Sequence, residues 1–277
     1  MRQNIPNPDQ VAFLLKLVQK AGASVMRLYG GTNSSDGGVL SINYKCDNSP
    51  VTVADLAAHR ILVDGLSHLT PEIPVVSEED GESMRHRRPT GTFWLIDPLD
   101  GTKEFISRNG EFTVNVALVE NGVPILGVVL APCLDLMYWG GVGIGAFRQK
   151  ADMIENLSLS NQADKTGRPM IVVASRSHLN EETTQFIGQL GACELVQAGS
   201  SLKFCLIAEG SADVYPRMGP TSEWDTAAAQ VIVEAAGGYV CTLDGEPLRY
   251  GKPDVLNPYF IASGTRFQRS SLQSHNQ

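Results

Sequence analysis

The chain has 277 residues, of which 43% are hydrophobic and 19% are charged. The length is enough for one large or two small domains with a substantial core, and the composition is typical of a soluble globular protein. The formal net charge of −8 argues against a broad nucleic-acid-binding surface, so we expect no nucleic acid polymer as a partner. The same charge would repel a phosphorylated substrate unless metal ions and a few placed cations reverse the sign locally.

Targeting and cysteine signals predict a cytoplasmic protein. The first ten residues are polar and lack the apolar segment of a signal peptide. Residues 11–18 form an apolar stretch, interrupted by Lys16, that is too short to span a bilayer. The five cysteines show no CxxC spacing, which indicates unpaired thiols in a reducing compartment. We therefore expect no transmembrane segment, while peripheral association with the inner membrane and the choice between a monomer and a homodimer stay open.

The N-terminal elements are two helices. Apolar residues recur at helical spacing across residues 8–29, and we expect a glycine pair at positions 30–31 to end this helix. Residues 32–41 are rich in glycine, serine and asparagine and predict a mobile loop. Thr52 is a candidate N-cap for a second helix that runs to about Leu69.

Two predicted strands each end in carboxylates. Residues 73–76 form an apolar strand followed by Ser77-Glu78-Glu79-Asp80, and residues 93–96 form a buried strand followed by Asp97-Pro98-Leu99-Asp100. We expect the Asp97-Pro98 pair to end the second strand and a tight turn to follow, with a helix or single helical turn from Thr102 onwards. If the two strands pair, their terminal carboxylates come together.

These carboxylates have two interpretations. Each acidic stretch taken alone is typical of an exposed turn, either an Asx turn at Asp97 or a solvated turn at Glu78. Two carboxylates at the end of a buried strand are costly, however, unless a cation neutralises them. Oxygen ligands favour a hard divalent ion, above all Mg²⁺, with the Leu99 carbonyl as a further ligand. Beside it, the amides of Gly101 and Thr102 would be free to hold a phosphate.

The rest of the chain alternates strands and helices. We expect a meander of strands at residues 114–119, 125–130, 136–139 and 146–148, and we interpret the glycines at 141–145 as a hairpin turn rather than a dinucleotide-binding loop. A polar segment at residues 161–168 is the predicted domain boundary, between a domain at 1–163 and a domain at 164–277. Beyond it we expect strands at 170–174, 194–196 and 212–215, and helices at 181–190, from 199–203 onwards, and from Ser222 to the glycines at 237–238. Both halves indicate a layered architecture of helices and sheets.

Several rival motifs are absent from the sequence. It has no GxxxxGK[ST] phosphate-binding loop and no GxSxG nucleophile elbow. The segment that begins at Asp97 has the wrong spacing for an EF-hand, whose twelfth position would be Arg108. A phosphatase with an aspartyl-phosphate intermediate needs Asp-x-Asp on one strand face, whereas Asp97 and Asp100 are three residues apart.

Three blocks of the sequence resemble the signature blocks of the inositol monophosphatase-like superfamily. They are Ser77-Glu78-Glu79, Asp97-Pro98-Leu99-Asp100-Gly101-Thr102 and Trp224-Asp225, and they occur in the family's order between Lys45 and Gly238. The resemblance implies an α+β fold, a layered αβαβα sandwich, and a Mg²⁺-dependent, lithium-sensitive phosphatase. It also implies that the N-terminal domain holds most metal ligands on an antiparallel sheet, and that the C-terminal domain contributes Asp225 and substrate-binding residues.

Within the superfamily, three further segments are most similar to bacterial 3'(2'),5'-bisphosphate nucleotidases. They lie at residues 47–52, 100–105 and 199–205. These enzymes remove the 3'-phosphate of adenosine 3',5'-bisphosphate to give AMP, and so clear a by-product of sulfate assimilation. The resemblance therefore implies a small nucleotide bisphosphate as the substrate. An inositol monophosphatase or another sugar-phosphate phosphatase, and a non-catalytic metal- or nucleotide-binding protein, are the alternatives.

The resemblance also implies roles for individual residues. Two or three Mg²⁺ ions would be held by Glu78, Asp97, Asp100, Asp225 and the Leu99 carbonyl. A metal-activated water would attack in line with the leaving oxygen, oriented by Glu78 and polarised by Thr102, which would be hydrogen-bonded to Asp55. The amides of Gly101 and Thr102 would hold the scissile phosphate, and Lys45 would close over it.

The second phosphate needs cations of its own. Lys203 and Arg217 are the candidates, with Ser200 and His178 as neutral donors. Two simpler readings stand beside this one. Lys203 could lie on a solvated helix face, and His178, independently, could be a loop histidine without a role.

Overall fold

The computed structural model describes residues 6–31, 42–44, 50–161 and 168–266. Its helices are α1 (Pro8–Gly31), α2 (Val53–Leu69), α3 (Thr102–Ile106), α4 (Glu181–Gly188), α5 (Leu202–Ala208) and α6 (Ala227–Ala235). Its strands are β1 (Ile42–Tyr44), β2 (Pro50–Thr52), β3 (Val75–Ser77), β4 (Thr92–Asp100), β5 (Thr113–Glu120), β6 (Val123–Ala131), β7 (Leu136–Gly141), β8 (Gly145–Lys150), β9 (Met153–Leu157), β10 (Met170–Ser175), β11 (Cys193–Ala198), β12 (Val214–Arg217), β13 (Tyr239–Thr242) and β14 (Phe260–Ser263). Short 3-10 helices lie at Gly81–His86 and Leu159–Asn161.

The larger sheet has seven strands in the order β3-β4-β5-β6-β7-β8-β9. β3 and β4 pair in parallel with Ser77 opposite Ile96, whereas the other neighbours pair antiparallel as the predicted meander. The glycines at 141–145 form the predicted hairpin turn between β7 and β8. Beyond β3, the amide of Glu78 donates to the Ile96 carbonyl at 3.2 Å. The parallel register therefore brings the ends of the two acidic segments together, as the sequence predicted.

β4 differs from the prediction. The strand is not ended by the Asp97-Pro98 pair but runs on to Asp100. Opposite β5, Asp97 pairs with Asn115 and Asp100 pairs with Thr113, so three steps along β4 match two along β5. The extra residue forms a β-bulge, which accommodates a proline because the bulged position needs no ladder hydrogen bond. Both aspartates consequently remain on strand backbone at one end of the sheet.

The smaller sheet has five strands in the order β11-β10-β12-β14-β13. β10 pairs in parallel with β11 and β12, whereas β14 pairs antiparallel with β12 and β13.

The end of α1 was predicted too early and the end of α4 slightly too late, because α1 includes both of its terminal glycines and α4 stops at Gly188. β9 was not predicted, since its first four residues are exposed and show no apolar alternation.

Five layers stack on one another. α1 and α2 cover one face of the larger sheet, where Leu14 and Leu62 share a core with Trp94. α5 and α6 lie between the two sheets and supply much of the core that joins them. α4 covers the outer face of the smaller sheet, where Phe186 packs against Val214 and Ile261. This αβαβα arrangement confirms the predicted α+β layered sandwich.

Close packing of α6 helps to position one side of the site. A β-carbon on Gly127 of β6 would lie 2.2 Å from the carbonyl oxygen of Ala228 in α6, a separation that no real side chain tolerates. Glycine at 127 and the alanines at the start of α6 thus allow the helix to lie directly on the larger sheet. Because Asp225 stands just before α6, the same contact sets its distance from β4.

Some predictions fall outside the described residues. Lys45, the loop at 32–41 and most of the boundary segment at 161–168 belong to this group, so the division into domains at 1–163 and 164–277 stays a prediction. None of the described helices is long and apolar enough to cross a membrane.

Candidate active site

Three carboxylates from distant parts of the chain form an acidic cluster. Glu78 follows β3, Asp97 lies within β4, and Asp225 lies in the turn before α6. One carboxylate oxygen from each residue lies within 4.8 Å of the other two. Asp97 is 1% exposed, although its Oδ1 also accepts a hydrogen bond from the Leu99 amide at 3.0 Å, as in an Asx turn. The turn is therefore present, but it is buried and is not the exposed turn of the simpler interpretation.

The acidic cluster is electrostatically unbalanced. Burial raises the pKa of Asp97 well above its ordinary value, and the nearby charges of Glu78 and Asp100 raise it further. Burial also raises the pKa of Asp225, again with Asp100 and Glu78 as the next causes. Like charges brought this close in a buried place need a cation between them. Because every donor in the cluster is a carboxylate oxygen, a hard divalent ion fits best.

Asp100 lies beside the cluster and is held by contacts that the sequence analysis did not predict. Its Oδ2 accepts hydrogen bonds from Ser200 at 2.9 Å and from Asn115 at 3.3 Å. The hydroxyl oxygen of Ser201 lies 2.9 Å from the same Oδ2 and 2.8 Å from the Asp225 carbonyl oxygen. These contacts join the end of β4 to the start of α5 and to the Asp225 turn.

A sequence signal for part of this support exists. Thr113 and Asn115 are polar residues at alternate positions of β5, a strand that is otherwise apolar and buried. Thr113 contacts Ser200 through their hydroxyl oxygens at 2.5 Å. Polar residues with a period of two mark one face of a strand, so this pair could have been assigned to the face that carries Asp97 and Asp100.

The turn after β4 has the predicted geometry. Gly101 adopts a φ of +90°, in the left-handed region that favours glycine, and α3 begins at the next residue. The Thr102 hydroxyl lies 3.3 Å from Asp55 Oδ1 and 3.4 Å from the Leu99 carbonyl oxygen. Asp55 is buried, and its other oxygen accepts hydrogen bonds from the Thr52 amide and hydroxyl at 2.7 and 2.6 Å. This capping box at the start of α2 orients Asp55 towards Thr102.

A cleft of about 610 Å³ adjoins the acidic cluster. Its lining includes the carboxylates of Glu78, Asp100 and Asp225 and the cations of Lys203 and Arg217. The cleft therefore presents both carboxylates and cations, which suits a ligand with two different charged or metal-bound groups.

Lys203 is buried rather than solvated. The residue is 5% exposed, and its Nζ donates to the Ser200 carbonyl at 2.5 Å and lies 3.5 Å from the Ala198 carbonyl. The ammonium also lies 5.5 Å from the centroid of the Tyr215 ring. Burial lowers the pKa of Lys203 to about 8, against the opposing effect of Asp100. The reading of Lys203 as part of a solvated helix face is therefore wrong.

Arg217 and His178 lie together in the lining of the cleft. Arg217 donates from Nε to the Thr221 hydroxyl at 2.7 Å and from Nη2 to the Pro220 carbonyl at 2.8 Å. Its Nη1 lies 3.4 Å from the His178 carbonyl. Burial lowers the pKa of His178, and Lys103 and Arg217 lower it further, so the imidazole is neutral at pH 7.

Ser200 and Lys45 are two further predicted substrate-binding residues. The Ser200 hydroxyl donates to Asp100. Lys45 lies outside the described residues. The cleft also contains a residue that the sequence analysis missed, Glu104, which is 5% exposed and accepts a hydrogen bond from the Ser177 hydroxyl at 2.5 Å.

Comparison with known proteins agrees with the fold and the site. Residues 7–275 match the model of the inositol monophosphatase family, and the chain belongs to this family. Curated proteins named 3'(2'),5'-bisphosphate nucleotidase CysQ from Escherichia coli O6:H1 and Escherichia coli K12 are 48% and 47% identical to it over 256 residues, which cover 92% of this chain and 98% of each relative.

Solved structures show the same architecture. CysQ from Bacteroides thetaiotaomicron, described as a bacterial member of the inositol monophosphatase family, is 40% identical with a TM-score of 0.81, covering 96% of this chain and all of that one. An inositol monophosphatase from Thermotoga maritima is 26% identical with a TM-score of 0.74, covering 95% of both chains.

Proposed function

We propose that this chain is a 3'(2'),5'-bisphosphate nucleotidase that hydrolyses the 3'-phosphate of adenosine 3',5'-bisphosphate to give AMP and phosphate. The observation that carries the proposal is the placement of the buried cation Lys203, with Arg217, in the same cleft as the acidic cluster. A phosphatase for a single phosphate needs only the acidic cluster, whereas a bisphosphate needs both. Identity of 47–48% to curated nucleotidases, over 92% of the chain, supports the same activity.

The acidic cluster fits Mg²⁺. Glu78, Asp97 and Asp225 offer oxygens close enough to share an ion, and Asp100 with the Leu99 carbonyl would complete the ligands of two or three ions. When bound, the ions would lower the pKa of the attacking water and neutralise the leaving oxygen of the ester. Glu78 would orient that water from the end of β3.

The turn after β4 supplies the groups that act on the scissile phosphate. Thr102 is held by Asp55, so its hydroxyl has a defined direction and would accept a proton from the water while donating to Asp55. The amides of Gly101 and Thr102 precede or begin α3, where N–H groups have no partner within the helix. They would hold the oxygens of the scissile phosphate.

The cations would bind the phosphate that is not hydrolysed. Arg217 is oriented by its contacts with Thr221 and Pro220, so it needs little reorganisation to meet a 5'-phosphate. Lys203 would join it, and the neutral side chains of His178 and Ser200 would add hydrogen bonds. Lys45 would close over the scissile phosphate. The cytoplasmic location and the choice between monomer and homodimer stay predictions from the sequence.

Phosphate release from two substrates tests the proposal. Purified protein is assayed at one Mg²⁺ concentration with adenosine 3',5'-bisphosphate and with inositol monophosphate, and a chelator is added in a parallel assay. We expect Mg²⁺-dependent release and a kcat/KM that favours the nucleotide. A preference for inositol monophosphate would overturn the proposal in favour of the sister phosphatase, and release from neither substrate would favour a binding protein.

A further inference from the structure

We propose that Glu104 recognises the ribose 2'-hydroxyl next to the scissile 3'-phosphate and thereby selects ribonucleotides over 2'-deoxyribonucleotides. This inference rests on the proposed nucleotidase function and assigns a specificity-determining residue to the same cleft. Glu104 belongs to α3 and lines the cleft, yet it is neither part of the acidic cluster nor a cation for the second phosphate.

The carboxylate of Glu104 stands beside the phosphate-binding turn. Its Oε1 accepts the hydrogen bond from Ser177. Its Oε2 lies 3.2 Å from the place that a β-carbon on Gly101 would occupy. With the scissile phosphate held by the Gly101 amide as proposed above, Oε2 would lie on the side of the turn where the sugar carbons next to the ester can reach it.

The side chain of Glu104 is held in one place. A β-carbon on Gly199 would lie 2.9 Å from Glu104 Cγ, so the backbone at 199 packs directly against it. That backbone is anchored in turn, because the Gly199 amide donates to Glu111 at 2.8 Å and Glu111 forms an ion pair with Arg176 at 2.8 Å. A buried group with a fixed rotamer is preorganised for one partner.

The chemistry of a carboxylate decides what that partner is. A carboxylate oxygen accepts hydrogen bonds, and Ser177 supplies a donor to Oε1, so the proposal assigns Oε2 to a donor of the substrate rather than to a phosphate oxygen. Adenosine 3',5'-bisphosphate offers two kinds of donor: the 2'-hydroxyl and the amino group of the base. The 2'-hydroxyl is bonded to the carbon next to the ester carbon, whereas the amino group lies at the far end of the nucleoside. The position of Oε2 beside Gly101 therefore favours the 2'-hydroxyl.

Paired substrates test this contact. Wild type, Glu104→Ala and Glu104→Gln are assayed with adenosine 3',5'-bisphosphate and its 2'-deoxy analogue. A hydrogen bond to a charged group corresponds to a preference of wild type for the ribonucleotide of about tenfold to a hundredfold in kcat/KM. We expect Glu104→Ala to reduce this ratio to near one, and Glu104→Gln, which keeps an acceptor oxygen without the charge, to give an intermediate ratio.

A matched control and a binding measurement complete the test. Arg217→Ala should weaken both nucleotides alike and leave their ratio at the wild-type value, because Arg217 is assigned to the 5'-phosphate that both share. Calorimetry with AMP and 2'-deoxy-AMP reports the same contact without turnover, and the ratio of their dissociation constants should fall in Glu104→Ala. Equal use of the two substrates by wild type, or an unchanged ratio in both Glu104 variants, would overturn the assignment. Either result leaves the nucleotidase function intact, since that is judged against inositol monophosphate.

Discussion

The buried ammonium of Lys203 should give the protein a measurable pH dependence of stability. Burial lowers the pKa of Lys203 from 10.5 to about 8 in the folded chain, whereas the unfolded chain keeps the ordinary value. Between these two pH values the unfolded chain binds more protons than the folded chain, so the free energy of unfolding rises with pH across this window. Below about pH 8 both states are protonated, and the cost of burying the charge is fully present.

The size of the effect follows from the shift in pKa. At about 1.36 kcal/mol for each pKa unit, the buried charge of Lys203 costs about 3 kcal/mol at neutral pH. Between about pH 7.5 and about pH 10, roughly 2 kcal/mol of that cost is relieved. Lys203→Met has a similar volume and no charge, so the difference in unfolding free energy between this variant and wild type should shrink by that amount over the same range.

Urea denaturation at several pH values, followed by tryptophan fluorescence with a chelator present, measures this difference. All other groups titrate equally in both proteins, so their contributions cancel in the difference in unfolding free energy. Lys20→Met is the matched control, because Lys20 is exposed on α1 and its removal takes no charge out of the interior. A constant difference between Lys203→Met and wild type across the range would mean that Lys203 is not buried as a charged group, and its assignment to the 5'-phosphate would lose its structural support.

Three other predictions concern the chemistry. Arg217→Ala should lower kcat/KM for adenosine 3',5'-bisphosphate by about tenfold to a hundredfold, since a charge-assisted contact contributes about 1.5–3 kcal/mol. The loss for inositol monophosphate should be far smaller. Equal losses on the two substrates, or a matching loss in the exposed control Arg60→Ala, would remove Arg217 from the substrate site. Asp100→Asn should abolish nearly all turnover. The metal-free fold should become no less stable, because the substitution removes a negative charge that lies near Asp97 and Asp225. A wild-type kcat at saturating Mg²⁺ would contradict the role of Asp100 as a metal ligand. Li⁺ should inhibit in an uncompetitive or mixed manner, and indifference to roughly tens of millimolar Li⁺, the range expected of a site held by few charges, would count against a lithium-sensitive phosphatase.

Local patterns in the sequence predicted most of the secondary structure and one half of the site. The apolar spacing of α1 and α2, the meander from β5 to β8, and the Thr52 cap all depend on residues within a few positions of each other. Glu78 and Asp97 could be brought together by the same reasoning, because each follows or ends an apolar run and two such runs pair side by side. Information of this kind is contained in short segments, and so it can be read without the fold.

Only the tertiary structure decided which polar groups surround those carboxylates. Ser200 donates to Asp100 across 100 residues of sequence, and Ser177 donates to Glu104 across 73. The burial of Lys203 has the same origin, because α5 lies between the two sheets and a lysine on so short a helix shows no periodicity that predicts which side it faces. These contacts depend on how the two sheets dock through α5 and α6. Docking is determined by the summed packing of many apolar side chains rather than by any one segment, and therefore no local pattern encodes it.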